Sequence, residues 1–318
     1  MNPTYKLVIL SEYEKKYRAL IEEARLVNLE IVDLPANDVD IALGEPQRIK
    51  AALASLPALS WAQSLWAGVE TLLDSASRRN YVLTNARGVF GGLMTEYIIS
   101  YLLAHERRIF QMAEDQRNKK WNDSDTGTLR GKVIGLLGVG SIGADVARAA
   151  KFFGMTVRGF TRSSETSANV DKYFHPHFSL QPKDSWGETL LEFTHGLDYL
   201  VNILPNTKDT RKIINADMLN ALPPRAFLIN VGRSSAVDEF ALLDALNRNK
   251  ISGAVLDVFE QEPLPQDHPF WSTPNLLMTF HTAAPSKPED ITKLFIENYK
   301  LFVQGQTLKY QVDFENGY

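Results

Sequence analysis

The chain has 318 residues, with 34 Lys or Arg against 38 Asp or Glu and a formal net charge of −4. That balance excludes the basic footprint of a nucleic-acid binder, and the absence of cysteine excludes disulfide scaffolds, thiolate zinc sites and cysteine nucleophiles. Hydrophobic residues at 44% and charged residues at 23% fit an ordinary globular chain, and the length predicts about two domains.

The first apolar stretch, Leu7–Leu10, is too short for a signal peptide, and no window reaches the ~18 uninterrupted apolar residues of a membrane span. The expectation is a soluble, cytoplasmic protein. Lys6–Leu10 is predicted as a strand, and Glu12–Arg25 as a helix from its apolar spacing. Leu29–Asp33, Asp40–Leu43, Leu59–Trp66 and Tyr81–Asn85 follow as strands, with a helix near Gln47–Ala54. After Gly88, Gly91 and Gly92 a long helix is predicted from about Leu93 to Arg117. Alternation then restarts. Lys132–Gly138, Thr156–Thr161, Leu197–Leu204, Ala226–Val231, Gly253–Phe259 and Leu276–His281 read as strands. Helices are expected near Ile142–Phe153, Ala216–Ala221, Glu239–Asn249 and Glu289–Gln304. Such alternation predicts parallel α/β architecture.

Gly138-Val139-Gly140-Ser141-Ile142-Gly143 is a GxGxxG between a strand and a helix. The first glycine permits the tight turn, the second lets backbone approach a pyrophosphate, and the third lets helix pack on strand. The helix N-terminus supplies N–H groups and a positive dipole end for the anion. A plain turn is the alternative; the strand–turn–helix context favours dinucleotide binding. The next strand ends Thr161-Arg162-Ser163, where NAD-binding versions carry an acid. An Arg there can hold a ribose 2′-phosphate bidentately, which points to NADP(H) as the preferred cofactor with NAD(H) possible. Glu165, three positions after Arg162, is a competing partner for it.

Through these and further motifs the whole chain resembles the D-isomer-specific 2-hydroxyacid dehydrogenases, and within them the glyoxylate/hydroxypyruvate reductase branch. The matching segments are Leu137–Gly143, Leu204-Pro205-Asn206-Thr207, Asn230-Val231-Gly232-Arg233, Asp257–Pro265 and Thr279-Phe280-His281-Thr282-Ala283-Ala284. Arg233 and Glu262 stand 29 positions apart, and Glu262 and His281 stand 19 apart, as in the family. Ser234-Ser235 after the arginine, Phe280 before the histidine and the missing ribose acid depart from the common pattern. None removes a reactive group.

The resemblance implies an α/β fold of two doubly wound parallel sheets. A Rossmann dinucleotide-binding domain (93–285) would be inserted into a flavodoxin-like substrate domain (1–92 with 286–318). It also implies a homodimer and a small 2-keto or 2-hydroxy acid as substrate. The implied cofactor contacts are Met94, Gly138, Gly140, Ser141, Ile142, Gly143, Thr161, Arg162, Ser163, Leu204, Pro205, Thr210, Val231, Gly232, Arg233, Asp257, His281 and Ala283. The implied substrate contacts are Ala67, Gly68, Val69, Arg87, Arg233 and His281, with Trp271 as a pocket wall or a core residue.

Reduction of a 2-keto acid needs a hydride donor, a proton for the carbonyl oxygen and an anchor for the carboxylate. His281 is the expected proton donor, since imidazole can give and take a proton near neutrality. Glu262 would orient its ring and stabilise imidazolium charge. Arg233 would hold the carboxylate and polarise the carbonyl. His105, beside Glu106 and Arg107, reads as a solvated position. His175 and His177 flank Pro176, but no carboxylate spacing completes a metal site, so no metal is expected. A phosphoglycerate dehydrogenase-type enzyme using NAD is one alternative, disfavoured because only about 14 residues follow the last helix and leave no room for a regulatory domain. A dinucleotide-sensing corepressor-like protein is another, and it would not require the full Arg–Glu–His set. Formate dehydrogenases carry Gln where Glu262 stands.

Overall fold

Each short apolar run of the sequence becomes one strand of a parallel sheet. The computed structural model describes residues 4–74, 78–176 and 185–315. In chain order the first strands and helices are β1 (Tyr5–Leu10), α1 (Glu14–Glu23), β2 (Leu29–Val32), β3 (Ile41–Gly44), α2 (Pro46–Ala52), β4 (Trp61–Ser64) and β5 (Val82–Thr84). Then come α3 (Gly91–Glu106), α4 (Ile109–Arg117), β6 (Val133–Leu137), α5 (Ser141–Phe152), β7 (Thr156–Phe160), β8 (Lys172–Phe174) and α6 (Ser185–Thr194). The chain continues through β9 (Tyr199–Asn202), α7 (Ala216–Ala221), β10 (Phe227–Asn230), α8 (Glu239–Asn247), β11 (Gly253–Leu256), β12 (Leu276–Met278) and α9 (Pro288–Val303). Two compact units result: Met1–Phe90 with Pro285–Tyr318, and Gly91–Ala284.

The first unit holds a five-stranded sheet in the order β2-β1-β3-β4-β5, all parallel. Its last helix, α9, is fixed by both apolar and polar contacts. Phe295 stacks on the buried Trp61 ring at 5.1 Å. Gln63 Oε1 accepts from Thr84 Oγ1 at 2.8 Å and from Asn298 Nδ2 at 3.1 Å, so a buried amide ties α9 to β4 and β5. A buried polar group needs such partners, because an unmet one costs about 1–3 kcal/mol.

The second unit holds a seven-stranded sheet in the order β12-β11-β10-β9-β6-β7-β8, also all parallel. Every residue of β9, β10 and β11 is buried, as strands covered on both faces require. The period of two divides them. Leu200 and Leu228 join one apolar cluster, while Tyr199, Val201, Phe227 and Ile229 join the other.

The structure departs from the sequence reading in three places. The helix expected over 93–117 is two helices, broken where Arg108 takes φ +53°. No Gly or Pro marks that break. Instead, the returning chain caps it, with Gly127 N–H donating to Glu106 O at 2.8 Å. The Glu106 carboxylate accepts from Tyr199 Oη and lies 3.4 Å from Lys132 Nζ. His105 is not a solvated position: its ring packs 4.3 Å from that of Phe227, and burial pulls it below the usual histidine range. Finally, β8 and α6 were not expected: β8 is only three residues long, and the helical spacing of Trp186, Leu190 and Phe193 in α6 went unread. Among the described residues, no helix is long and apolar enough to cross a membrane.

Candidate active site

Because β6 to β12 run parallel, their carboxyl ends share one edge of the sheet. Every site residue predicted in this unit, Met94 excepted, follows a strand at that edge. Met94 sits on α3, partly buried against the core. Strand order reverses direction between β6 and β9, the place where open α/β sheets leave a ligand crevice.

The glycine loop after β6 has the geometry an anion cradle needs. Gly138 takes φ +96°, a conformation that costs glycine nothing. A Cβ at Gly143 would stand 2.4 Å from Gly138 O, so only glycine lets α5 approach this closely. Gly140 is the N-cap of α5 and offers no side chain to its first turn, which includes Ser141 and Ile142. A Cβ at Gly140 would meet nothing within 4 Å. The first-turn N–H groups are therefore left to an outside acceptor.

At the end of β7, Thr161 is buried and its hydroxyl donates to Ser164 O at 2.7 Å. Ser163 is exposed. Arg162 pairs with Asp209 Oδ2 at 2.7 Å, not with Glu165. Glu165 instead holds His175 Nε2 at 2.8 Å, and its carboxylate, helped by the Thr161 carbonyl against partial burial, pushes His175 above the usual histidine range. After β9, Thr210 closes its own loop by donating to Pro205 O at 2.7 Å. Leu204 backbone stands so close to Gly232 that a Cβ there would lie 2.8 Å from Leu204 O.

Arg233 follows β10 with an extended backbone, φ −132° and ψ 144°. Its carbonyl accepts from Asn230 Nδ2 at 3.3 Å and from Ala236 N–H at 3.2 Å, and its guanidinium donates to Gly232 O at 3.0 Å. Asn230 Oδ1 in turn accepts from Asn202 Nδ2 at 2.8 Å and Gly232 N–H at 3.2 Å. Val231, Asn202 and Asn230 are buried. The arginine is thus partly exposed on an anchored stem.

His281 Nδ1 lies 2.8 Å from Glu262 Oε2. Glu262 Oε1 accepts from Phe259 N–H at 2.9 Å, which fixes the carboxylate plane. Nδ1 is thereby committed to Glu262. The histidine side chain is 59% exposed, so a ligand can reach it. His281 also takes φ +57°, a region that costs most residues with a Cβ about 1–2 kcal/mol.

Asp257 holds that strained turn. It is 1% exposed, and its carboxylate accepts from Thr279 Oγ1 at 2.5 Å, Thr282 N–H at 2.9 Å and Ala283 N–H at 3.1 Å. Its carbonyl takes His281 N–H at 2.8 Å. Tyr97 Oη reaches Thr279 Oγ1 at 2.7 Å. Asn202, Asn230, Thr279, Tyr97 and Asp209 were missed as site residues. For the two asparagines a signal existed: each is the polar last residue of an otherwise apolar strand. Trp271 is half exposed, with its indole N–H on Pro265 O at 2.8 Å and its ring 6.0 Å from Phe280.

In the other unit, Asn85 joins the predicted substrate segments. Its Nδ2 donates to Ala67 O at 3.0 Å, and its Oδ1 accepts from Arg87 N–H at 3.1 Å. Ala86 N–H adds a bond to Trp66 O at 3.1 Å. Ala67 and Gly68 are partly exposed, Val69 is buried, and the Arg87 side chain is exposed. Among the described residues no three His, Cys, Asp or Glu side chains gather as metal ligands, and His177 lies outside those residues.

Comparison with known proteins places this geometry. The family model "D-isomer specific 2-hydroxyacid dehydrogenase, NAD binding domain" matches residues 99–283. A glyoxylate/hydroxypyruvate reductase A of Serratia proteamaculans is 33% identical over 275 residues, 84% of each chain. A solved D-isomer specific 2-hydroxyacid dehydrogenase family protein of Aeromonas salmonicida is 38% identical, with a TM-score of 0.87 over 98% of this chain and 99% of that one. An NADPH-dependent glyoxylate/hydroxypyruvate reductase of Sinorhizobium meliloti, solved with NADP and sulfate, is 26% identical, with a TM-score of 0.84 over 99% of this chain and 100% of that one. With a family model matching more than half of its length and a relative 33% identical over 84% of each chain, the chain belongs to the D-isomer-specific 2-hydroxyacid dehydrogenase family.

Proposed function

We propose that this protein reduces a small 2-keto acid, of the glyoxylate or hydroxypyruvate kind, with NADPH preferred over NADH. The observation that carries the reading is the His281–Glu262 pair, 2.8 Å apart on the sheet edge that also presents the glycine loop. The residues fit a dinucleotide: the turn at Gly138, the close packing at Gly143 and the open space before Gly140 form the cradle its pyrophosphate needs. When bound, the reduced nicotinamide supplies a hydride to the keto carbon.

The protein supplies the rest. Arg233 binds the substrate carboxylate and polarises its carbonyl. The Ala67–Val69 turn and Arg87 are the proposed substrate contacts of the other unit. His281 donates the proton on Nε2 to the carbonyl oxygen, and Glu262 stabilises the imidazolium charge before transfer and fixes the tautomer after it. Asp257 holds the loop that aims the ring. Retention of all three groups supports catalysis over a purely sensory role.

Arg162 is the proposed reader of the 2′-phosphate, and the Sinorhizobium meliloti relative solved with NADP supports the choice of cofactor. The purified protein should oxidise NADPH when glyoxylate is added. Arg162→Ala should lower the ratio of kcat/KM for NADPH over NADH by roughly ten- to a hundredfold, the worth of one charge-assisted bond. No oxidation with any small 2-keto acid would overturn the functional reading, and an unchanged ratio would overturn the role of Arg162.

A homodimer is part of the same reading. Ile109, Phe110 and Met112 on α4 and the 93%-exposed Trp121 just beyond each leave apolar surface in water. Light scattering should give about twice the 35.7 kDa chain mass, and a monomer at micromolar concentration overturns it. A cysteine-free chain fits a reducing compartment, so we place the protein in the cytoplasm, with cell fractionation as the check.

A further inference from the structure

Arg162 and Asp209 stand 47 positions apart, one at the end of β7 and the other in the loop after β9. The two strands flank β6 and its glycine loop. Their side chains meet at 2.7 Å, and each is half exposed. Other groups nearby have different commitments: Glu165 holds His175, and the Thr161 hydroxyl is spent on Ser164 O. Asp209 therefore neutralises the guanidinium that the Thr161-Arg162-Ser163 segment turns towards solvent. Its backbone position does not depend on this pair, because Thr210 closes the loop through Pro205 O and Thr207.

We propose that Asp209 is a built-in competitor for the 2′-phosphate of the dinucleotide, a specificity-setting residue that pairs with Arg162 and lowers the preference for NADP(H) over NAD(H). This inference rests on the reading above that Arg162 faces the adenosine ribose. A guanidinium has donors enough for two acceptors, but its charge is shared between them. A phosphate carrying about −1.5 to −2 charges wins Arg162 from a carboxylate carrying −1. It does so at two costs. It must break an exposed ion pair, worth roughly a 1.4- to 5-fold factor in an equilibrium constant. It must then sit beside the displaced Asp209, a like charge that only solvent and salt screen. NAD(H), which has a ribose hydroxyl there, meets neither cost.

The test is calorimetric binding of NADP⁺, NAD⁺, adenosine 2′,5′-bisphosphate and AMP to wild type, Asp209→Asn and Glu192→Gln. Asn keeps the shape and removes the charge. Glu192, paired with Lys172, gives the same change in net charge at a different ion pair. In Asp209→Asn, NADP⁺ and the bisphosphate should bind roughly three- to tenfold tighter, while NAD⁺ and AMP change less than about twofold. The gain should shrink as salt rises. An unchanged or weaker NADP⁺ affinity overturns the proposal and makes Asp209 a support for Arg162. A gain shared by all four ligands, or matched by Glu192→Gln, overturns it in favour of bulk charge. Arg162→Ala in the same assay separates the two readings. If it leaves the NADP⁺ to NAD⁺ ratio untouched, the assignment of Arg162 falls and this inference with it. If it collapses the ratio while Asp209→Asn does nothing, the inference alone falls.

Discussion

Replacing His281 with Ala is expected to lower kcat by roughly 10²–10⁴-fold at saturating substrate, the usual worth of a positioned acid–base group. Dinucleotide affinity should change little, because the glycine loop after β6 does not depend on the ring. Backbone strain complicates that variant. His281 takes φ +57°, where Ala pays the full left-handed penalty and Asn pays less. His281→Asn is the cleaner probe, since it removes the proton donor while tolerating the turn. Both variants should be comparably slow, and Ala the less thermally stable of the two. Glu262→Gln should cost less than either. Gln still accepts at Nδ1, 2.8 Å away, but no longer balances imidazolium charge. Near-wild-type turnover in His281→Asn would remove His281 from the chemistry.

What the sequence makes legible is local. Parallel strands show because each is a short apolar run, and the glycine loop shows because its three glycines fall between an apolar strand and an amphipathic helix. The pairing of Glu262 with His281 is readable only as a spacing learned from relatives, since nothing in the 18 intervening residues forces contact. The unread features have non-local causes. Arg108 takes a left-handed φ between α3 and α4, where Gly127, 19 positions on, returns to cap Glu106. Asp257 holds the His281 turn through three residues more than 20 positions away. Asp209 reaches Arg162 only because β7 and β9 both flank β6. Asn85 looks like a strand-end turn residue, yet it ties Ala67 to Arg87. Such bonds depend on sheet order, which a periodicity argument does not contain.

Arg233→Lys is expected to fail as a conservative substitution. The backbone at this position is held by Asn230 and Ala236, and Gly232 leaves no room for a Cβ against Leu204. The stem therefore stays in place, and the change tests the head group alone. A guanidinium can bind one carboxylate through two parallel N–H donors and still polarise the neighbouring carbonyl. An ammonium is a point charge on a shorter reach and makes one such bond at a time. Losing a charge-assisted bond worth about 1.5–3 kcal/mol corresponds to roughly a ten- to a hundredfold fall in kcat/KM. The fall should appear in both KM and kcat, because Arg233 is proposed to act on the bound carboxylate and on the developing oxyanion. Arg233→Ala should fall further, and a 2-keto substrate whose carboxylate is replaced by an amide should lose most of the difference between wild type and Lys variant. That convergence follows only if the anchor is the carboxylate. A Lys variant with wild-type kcat/KM for a 2-keto acid would show that the substrate anion is held elsewhere, with Arg87 and the Ala67–Val69 turn the next groups to test.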